Sequence, residues 1–271
     1  MDRSTLVRLF GFPALLIHGD VLVLDRWRWL KRRLPRGDGT GHLIDVGCGN
    51  GAFTIGAARL GYRALGLSWD RPSLEEANRR AALCRVSGAD FTVQDIRHLA
   101  SQNELEGQFD VAICLEAIEH VLDDRHLMQA IAGCLKPGGR LLLTTPFLCY
   151  QAITPSDNGP FCTTEDGWHV RRGYSRAMLE ELCNEAGLLV EEISSCSGLL
   201  SQKFTWLLRT LSRIHPLFAW AITLPLRLLP PLFDPLIAFT TGWPPFSIGL
   251  VACKPRFTTG ARVTKVGNNA P

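Results

Sequence analysis

The chain has 271 residues, 46% hydrophobic and 20% charged, with a formal net charge of +3, a length that suits one large domain or one domain with an insertion. This composition excludes a disordered or fibrous chain, and so small a net charge gives no argument for nucleic acid as a partner. Nine cysteines with no C-x-x-C pair make neither a disulfide framework nor a zinc site, so a reducing, cytoplasmic setting is expected and no metal ligands are.

Residues 1–36 read as an N-terminal helical segment. Trp27, Leu30 and Leu34 share one face, and Arg26, Arg28, Lys31, Arg32, Arg33 and Arg36 crowd the rest. Arg3 and Arg8 flank an apolar run from Leu9 to Ile17, but Gly11 and Pro13 interrupt it and no small-x-small site follows, so no signal peptide is expected. Gly37, Gly39 and Gly41 then introduce the main domain, expected over 37–256.

From His42 the periodicity alternates. Strands are predicted at His42–Val46, Tyr62–Leu67, Phe91–Gln94, Phe109–Leu115, Arg140–Thr145, Leu188–Ile193 and Phe246–Cys253, and helices at Ala52–Leu60, Ser73–Cys84, Asp124–Leu135 and Ser175–Ala186. Such alternation predicts an α/β fold, a doubly wound, mostly parallel seven-stranded sheet with helices on both faces. Residues 198–245 form a helical insertion before the last strand, and 257–271 read as a disordered tail.

No single transmembrane helix is expected, since such a helix needs about 20 apolar residues. Ile214 to Leu226 is too short, and Thr240 to Pro245 breaks the longer stretch to Cys253. Within the insertion Phe204, Leu207, Leu208, Leu211 and Ile214 fall on one helical face, with Arg209 and Arg213 opposite and Lys203 on the flank. Two readings stay open. The stripe packs on the core as a helical cap, or it covers an apolar acceptor site and touches a membrane surface peripherally, as cations and tryptophans without acids would allow.

The chemistry concentrates in Asp45-Val46-Gly47-Cys48-Gly49-Asn50-Gly51. A strand ending in an acid and a glycine turn sets backbone N–H groups and a helix N-terminus beside a ligand. The spacing D-x-G-x-G-x-G differs from the dinucleotide fingerprint G-x-G-x-x-G. It resembles the first motif of the class I S-adenosylmethionine-dependent methyltransferases, which have a Rossmann-like fold. Glu116-Ala117-Ile118-Glu119-His120-Val121 resembles the ubiquinone-biosynthesis O-methyltransferase type, and Leu135-Lys136-Pro137-Gly138-Gly139-Arg140 is similar to that family's turn into the fifth strand.

The resemblance implies S-adenosylmethionine as cofactor, held by Asp45, Gly47, Gly49 and Gly51, with Leu115 and Glu116 at one end of the pocket. Asp95 and Ile96 match the family's adenine site. The usual ribose acid is replaced by Ser68, with Asp70 two residues on; either one contacts the ribose, or Asp70 only caps the next helix.

The segment after the fourth strand is Leu-Glu-Ala-Ile, not the [ND]-P-P-[YF] of enzymes that methylate amino groups of bases or of glutamine, and no Pro-Cys pair stands where cytosine C5 methylases keep their nucleophile. A small-molecule or lipid-like acceptor, methylated at oxygen, is expected instead. His120 and His169 are the candidate bases, and Arg171 and Arg172 candidate anion holders. The competing readings are a nicotinamide-dependent oxidoreductase on the same fold and a cofactor-binding protein without turnover. Nothing in the sequence bears on oligomeric state.

Overall fold

The computed structural model describes residues 3–17 and 19–256; the predicted tail at 257–271 lies outside them. Three helices come first, α1 (Arg3–Phe10), α2 (Phe12–Ile17) and α3 (Val21–Arg33). The Asp20 carboxylate accepts from the Leu22 amide at 3.2 Å and so starts α3. Trp27, Leu30 and Leu34 are buried together, as their spacing predicts.

The sheet comprises β1 (His42–Val46), β2 (Arg63–Ser68), β3 (Ala89–Val93), β4 (Phe109–Leu115), β5 (Leu135–Pro146), β6 (Leu189–Cys196) and β7 (Ser247–Cys253), in the order β3-β2-β1-β4-β5-β7-β6. The first five pair in parallel, and β7 runs antiparallel to both β5 and β6. Helices α4 (Ala52–Arg59), α5 (Arg71–Leu83), α6 (Asp124–Cys134) and α7 (Arg176–Glu185) make the crossovers. β5 starts earlier than predicted, because Leu135 already pairs with Phe109 and the Lys-Pro-Gly-Gly turn is absorbed as an irregularity in the ladder.

β1 and β4 are almost wholly buried, as parallel strands covered on both faces must be. On one face Ile44, Ala112 and Leu143 pack with residues of α6 and α7. On the other, Leu43, Ile113 and Leu142 pack with Phe12, Leu15, Trp27 and Trp29 of the N-terminal helices. The expected boundary at residue 36 therefore separates no second core. Chain order reverses between β1 and β4, and their carboxyl ends open a crevice where α/β sheets bind ligands.

The insertion folds as α8 (Leu199–Ser212), α9 (Pro216–Leu226) and α10 (Pro230–Thr241). Its apolar stripe does not become the buried face. α8 instead buries Ser201, Gln202 and Thr205, while Ile214 just past its end is 78% exposed. Hydrogen bonding decides the orientation, since buried polar groups need partners. Asp234 of α10 accepts from the amides of Leu200 (2.7 Å) and Ser201 (3.2 Å) and from Ser201 Oγ (3.0 Å). Asp20 accepts from Thr205 Oγ1 at 2.6 Å and from Arg209 at 3.1 Å. Asp234→Ala should therefore lower stability by about 1–3 kcal/mol, the cost of a lost cap with buried donors left behind. Urea denaturation checks this, and an unchanged midpoint would show that Asp234 does not hold α8.

Candidate active site

The turn after β1 places three glycines at positive φ, Gly47 at +87°, Gly49 at +51° and Gly51 at +78°. Their surroundings differ. A Cβ on Gly47 would lie 2.6 Å from Ala117 Cβ, and one on Gly51 would lie 2.7 Å from Ala77 Cβ and 2.8 Å from the Phe91 ring. A Cβ on Gly49 would meet nothing within 4 Å. Gly47 and Gly51 thus serve close packing, and Gly49 presents bare backbone to open space.

Asp45 sits behind this turn, 1% exposed, accepting from Thr54 Oγ1 at 2.6 Å. Burial pushes its carboxyl up to about 7. It braces α4 against β1 rather than facing the crevice.

The turn opens on a cleft of about 1010 Å³. Gly47, Cys48, Gly49 and Asn50 form one wall with Leu115 and Glu116; Arg26 of α3 stands across from them, and Leu208, Leu217 and Trp220 of the insertion contribute an apolar side. Glu116 holds a positive φ of 53°, a conformation that costs free energy in a non-glycine residue and that clusters at functional sites. Its Oε2 accepts from Arg26 at 2.9 Å and from Ser247 Oγ at 3.3 Å, while the buried Oε1 has no partner.

Ser68, Asp70, Asp95 and Ile96 stand at the ends of β2 and β3, outside the walls of this cleft. Ser68 Oγ accepts from the Asp70 amide at 3.2 Å, and Asp70 Oδ2 caps α5 through the Ser73 amide at 3.1 Å. Asp95 caps the short 3-10 helix Ile96–Ser101, and both its oxygens bind the Arg97 guanidinium, which holds the carboxyl below the usual range. Arg97 also pairs with Glu165 at 3.1 Å, tying the long loop after β5 to this end of the sheet.

That loop is strapped down by the two arginines expected to hold an anion. Arg171 binds Asp124 and the carbonyls of Val121 and Leu122, and Arg172 donates to Leu148, Tyr150 and Asn158. Both terminal nitrogens of Arg171 and all three nitrogens of Arg172 are engaged by the protein, and Arg171 Nε is buried without a partner, so neither presents a free donor to an acceptor.

The strap brings His169 to the segment after β4, with the Val170 amide donating to the Glu119 carbonyl at 3.0 Å. The rings of His169 and His120 meet edge to face, 4.6 Å between centroids. Ligand atoms of Glu119, His120 and His169 all lie within 4.8 Å of one another, close enough to converge on a single cation. Glu119 is fully buried; its Oε2 accepts from Thr145 Oγ1 at 3.2 Å and its Oε1 has no partner. Burial, with Glu116 nearby, pushes the Glu119 carboxyl well above its usual range, while burial and His120 push His169 down to about 4. The cluster does not line the cleft itself, but the charge of Arg26 acts on both Glu119 and His169.

The sequence names both histidines yet gives no sign that they touch, because 49 residues of chain separate positions 120 and 169. Arg26 is also missed. Its signal is present only as one cation among six, and the partner that distinguishes it, Glu116, lies 90 residues away.

A family model described as a methyltransferase domain matches residues 23–193, well over half of the chain. A ubiquinone biosynthesis O-methyltransferase of Xanthomonas euvesicatoria pv. vesicatoria is 31% identical over 156 residues, 56% of this chain and 64% of the relative. One from Xanthomonas oryzae pv. oryzae is 38% identical over 103 residues, 38% of this chain and 42% of the relative. The chain thus spans less than two thirds of the curated relatives it matches. Among solved structures, the [4+2]-cyclase SpnF superposes with a TM-score of 0.58 at 20% identity, covering 86% of this chain and 82% of that one. The N-methyltransferase NodS of Bradyrhizobium japonicum WM9 gives 0.56 at 16%, covering 87% and 89%. At such identities the likeness is one of fold, and the fold hosts more than one chemistry.

Proposed function

We infer the reaction from one premise, that this chain belongs to the methyltransferase-domain family: it transfers a methyl group from S-adenosylmethionine to an oxygen of a small, apolar acceptor. The observation that carries this reading is the shared cleft, in which the bare backbone of Gly49 and the Glu116 side chain line the same space as Leu208, Leu217 and Trp220.

The chain's residues fit this donor. Gly49 admits a ligand against the main chain, and the Glu116 side chain in the same wall offers a carboxylate to an ammonium group. When bound, the donor supplies a methyl on a positively charged sulfur that leaves as a neutral thioether. The protein then has to align the acceptor, keep water out and take one proton. Leu208, Leu217 and Trp220 offer apolar surface for orientation and exclusion of water. His169, neutral above about pH 4 and set behind the cleft wall, takes the hydroxyl proton through an intervening water as the oxygen bonds to the methyl group. Glu119 and His120 stand beside it, within 4.8 Å ligand atom to ligand atom, and shape the field in which it is protonated.

Ubiquinone biosynthesis O-methyltransferases are the curated relatives that support an oxygen acceptor. Family membership disfavours the nicotinamide reading. Incubation with S-adenosylmethionine labelled in the methyl group and fractionated lipid extract is the test: label in an organic-soluble product, stable to mild base and released as methyl iodide by hydriodic acid, is expected. Formation of no labelled product, with S-adenosylmethionine still bound, would leave the binding protein without turnover.

Asp70 provides the ribose acid in this reading, alongside its capping role. Asp70→Asn keeps the cap, because Asn caps as well as Asp, and removes only the charge. Affinity for S-adenosylmethionine should fall by about tenfold, the worth of one charge-assisted hydrogen bond, with the melting temperature unchanged. Titration calorimetry showing equal affinity would assign Asp70 to the cap alone. The insertion, finally, is where this otherwise cytoplasmic chain touches a membrane peripherally, with α8 and α9 forming the apolar side of the cleft.

A further inference from the structure

The outward faces of α9 and α10 carry no charge. Between Arg213 and Lys254 the sequence has only Arg227 and Asp234 as charged residues, and both turn inward. Arg227 is 1% exposed and donates to the Gly19 carbonyl at 2.7 Å, while Asp234 caps α8. What remains outside is apolar: Phe218, Leu228, Leu232, Phe233, Leu236 and Phe239 are exposed, Phe239 to 88%. An exposed apolar series of this extent marks an interaction surface. The two helices bend by 69° at their junction, and no single described helix is long and apolar enough to cross a membrane. Together the pair has the length and composition of a broken span or re-entrant loop, and its exposed apolar side chains suit helices seated in an interface.

A basic rim adjoins it. Between α3 and α10 lies a cavity of about 250 Å³, with Arg28, Arg32 and Arg33 on one side and Pro231, Pro235 and Trp243 on the other. Arg33 is engaged by Glu192. Arg28 stands 3.7 Å from Asp25, and its buried Nη1 has no hydrogen-bond partner. Arg32 is exposed and has no acidic partner among the described residues. Lys203 adds a cation 5.5 Å from the Trp243 ring. Asp25 and Asp234 also face the cavity, but Asp234 is occupied by the start of α8. A second copy of the chain fits this surface poorly, because a two-fold contact would press one cationic rim near another.

We propose that α9 and α10 dock the chain on an anionic phospholipid bilayer, with their apolar side chains in the interface and a lipid phosphate seated in the cavity beside Arg28 and Arg32. The inference rests on the membrane contact put forward above and adds the residues and the lipid charge. It places the bilayer against α9, which walls the cleft, so that an apolar acceptor reaches Leu217 and Trp220 from lipid.

Sedimentation of the full chain with phosphatidylcholine vesicles, with or without phosphatidylglycerol, tests it. Binding should need the anionic lipid and weaken in high salt. The double variant Leu232→Glu with Phe239→Glu should lose binding to the anionic vesicles. The double variant Arg28→Gln with Arg32→Gln should bind anionic vesicles at least about tenfold more weakly, with S-adenosylmethionine affinity and circular dichroism unchanged in both. No sedimentation of the unaltered chain overturns the membrane contact itself. Binding that is normal in the arginine variant, or equal on neutral vesicles, overturns the phosphate seat and leaves the contact. A dimer in gel filtration that the glutamate variant splits, without vesicle binding, assigns the surface to a second copy and overturns both.

Discussion

Gly49→Val is expected to lose at least about a hundredfold in affinity for S-adenosylmethionine, about 2.7 kcal/mol, while the sheet stays folded. A side chain at Gly49 meets no protein atom within 4 Å, so it projects into the space that the donor needs. A bulky residue at φ +51° costs about 1–2 kcal/mol, which a domain stable by about 5–15 kcal/mol tolerates. Gly49→Ala, smaller at the same position, should lose less affinity and retain more stability. Gly51→Val is the contrast. Its Cβ would stand 2.7 Å from Ala77 Cβ and 2.8 Å from Phe91, inside the packing of α5 against β3, and this variant should fail to fold. Circular dichroism and titration calorimetry on the three variants separate the roles. A folded Gly49→Val protein with unaltered affinity would remove the turn from the donor site.

His169→Ala is expected to lower turnover by about a hundredfold, within the ~10²–10⁴ that a positioned base contributes, with S-adenosylmethionine affinity within about twofold. The loop should survive the change, because the Val170 amide, Arg171 and Arg172 hold it independently of the imidazole. The pH profile adds a sign. Burial and His120 lower His169 to about 4, so its neutral, proton-accepting form prevails at every pH above that value. Between pH 8 and 5 the kcat/KM of the unaltered enzyme should therefore show no loss attributable to His169, and the usual histidine midpoint near 6.5 should be missing. His120→Ala removes one cause of the lowering, so the His169 midpoint should rise and bring an acid limb into view. Full turnover in His169→Ala would return proton removal to water and leave catalysis to positioning.

The first half of the chain is legible because its signals are local. His42–Val46 and Phe109–Leu115 are strands with the same bounds in sequence and structure, since continuous apolar runs closed by glycine or acidic turns leave little choice of register. Gly47, Gly49 and Gly51 are equally local, because a positive φ constrains the residue type at its own position. Asp70 stands between the two cases. The sequence shows an acid in the right place and offers both cap and ribose; the structure fixes the cap, through Ser73, and the charge remains to be tested.

The insertion shows where local signals mislead. By pattern alone the apolar stripe of α8 is the face to bury, yet Ser201 and Thr205 face inward because Asp234 and Asp20, 33 and 185 residues away, meet them there. A hydrophobic pattern ranks faces by transfer free energy and knows nothing of such partners.

By itself, then, the sequence determined the α/β alternation, the glycine turn and the family resemblance, all set by residues within a few positions of one another. Only the tertiary structure decided which glycine of the turn faces open space, that Arg26 crosses to Glu116, and that Glu119, His120 and His169 form one cluster. It also decided that Arg171 and Arg172 hold a loop, and that α9 and α10 turn their only charges inward. Each of these depends on a contact between distant segments, and a distant contact exists only once packing has fixed where both segments lie.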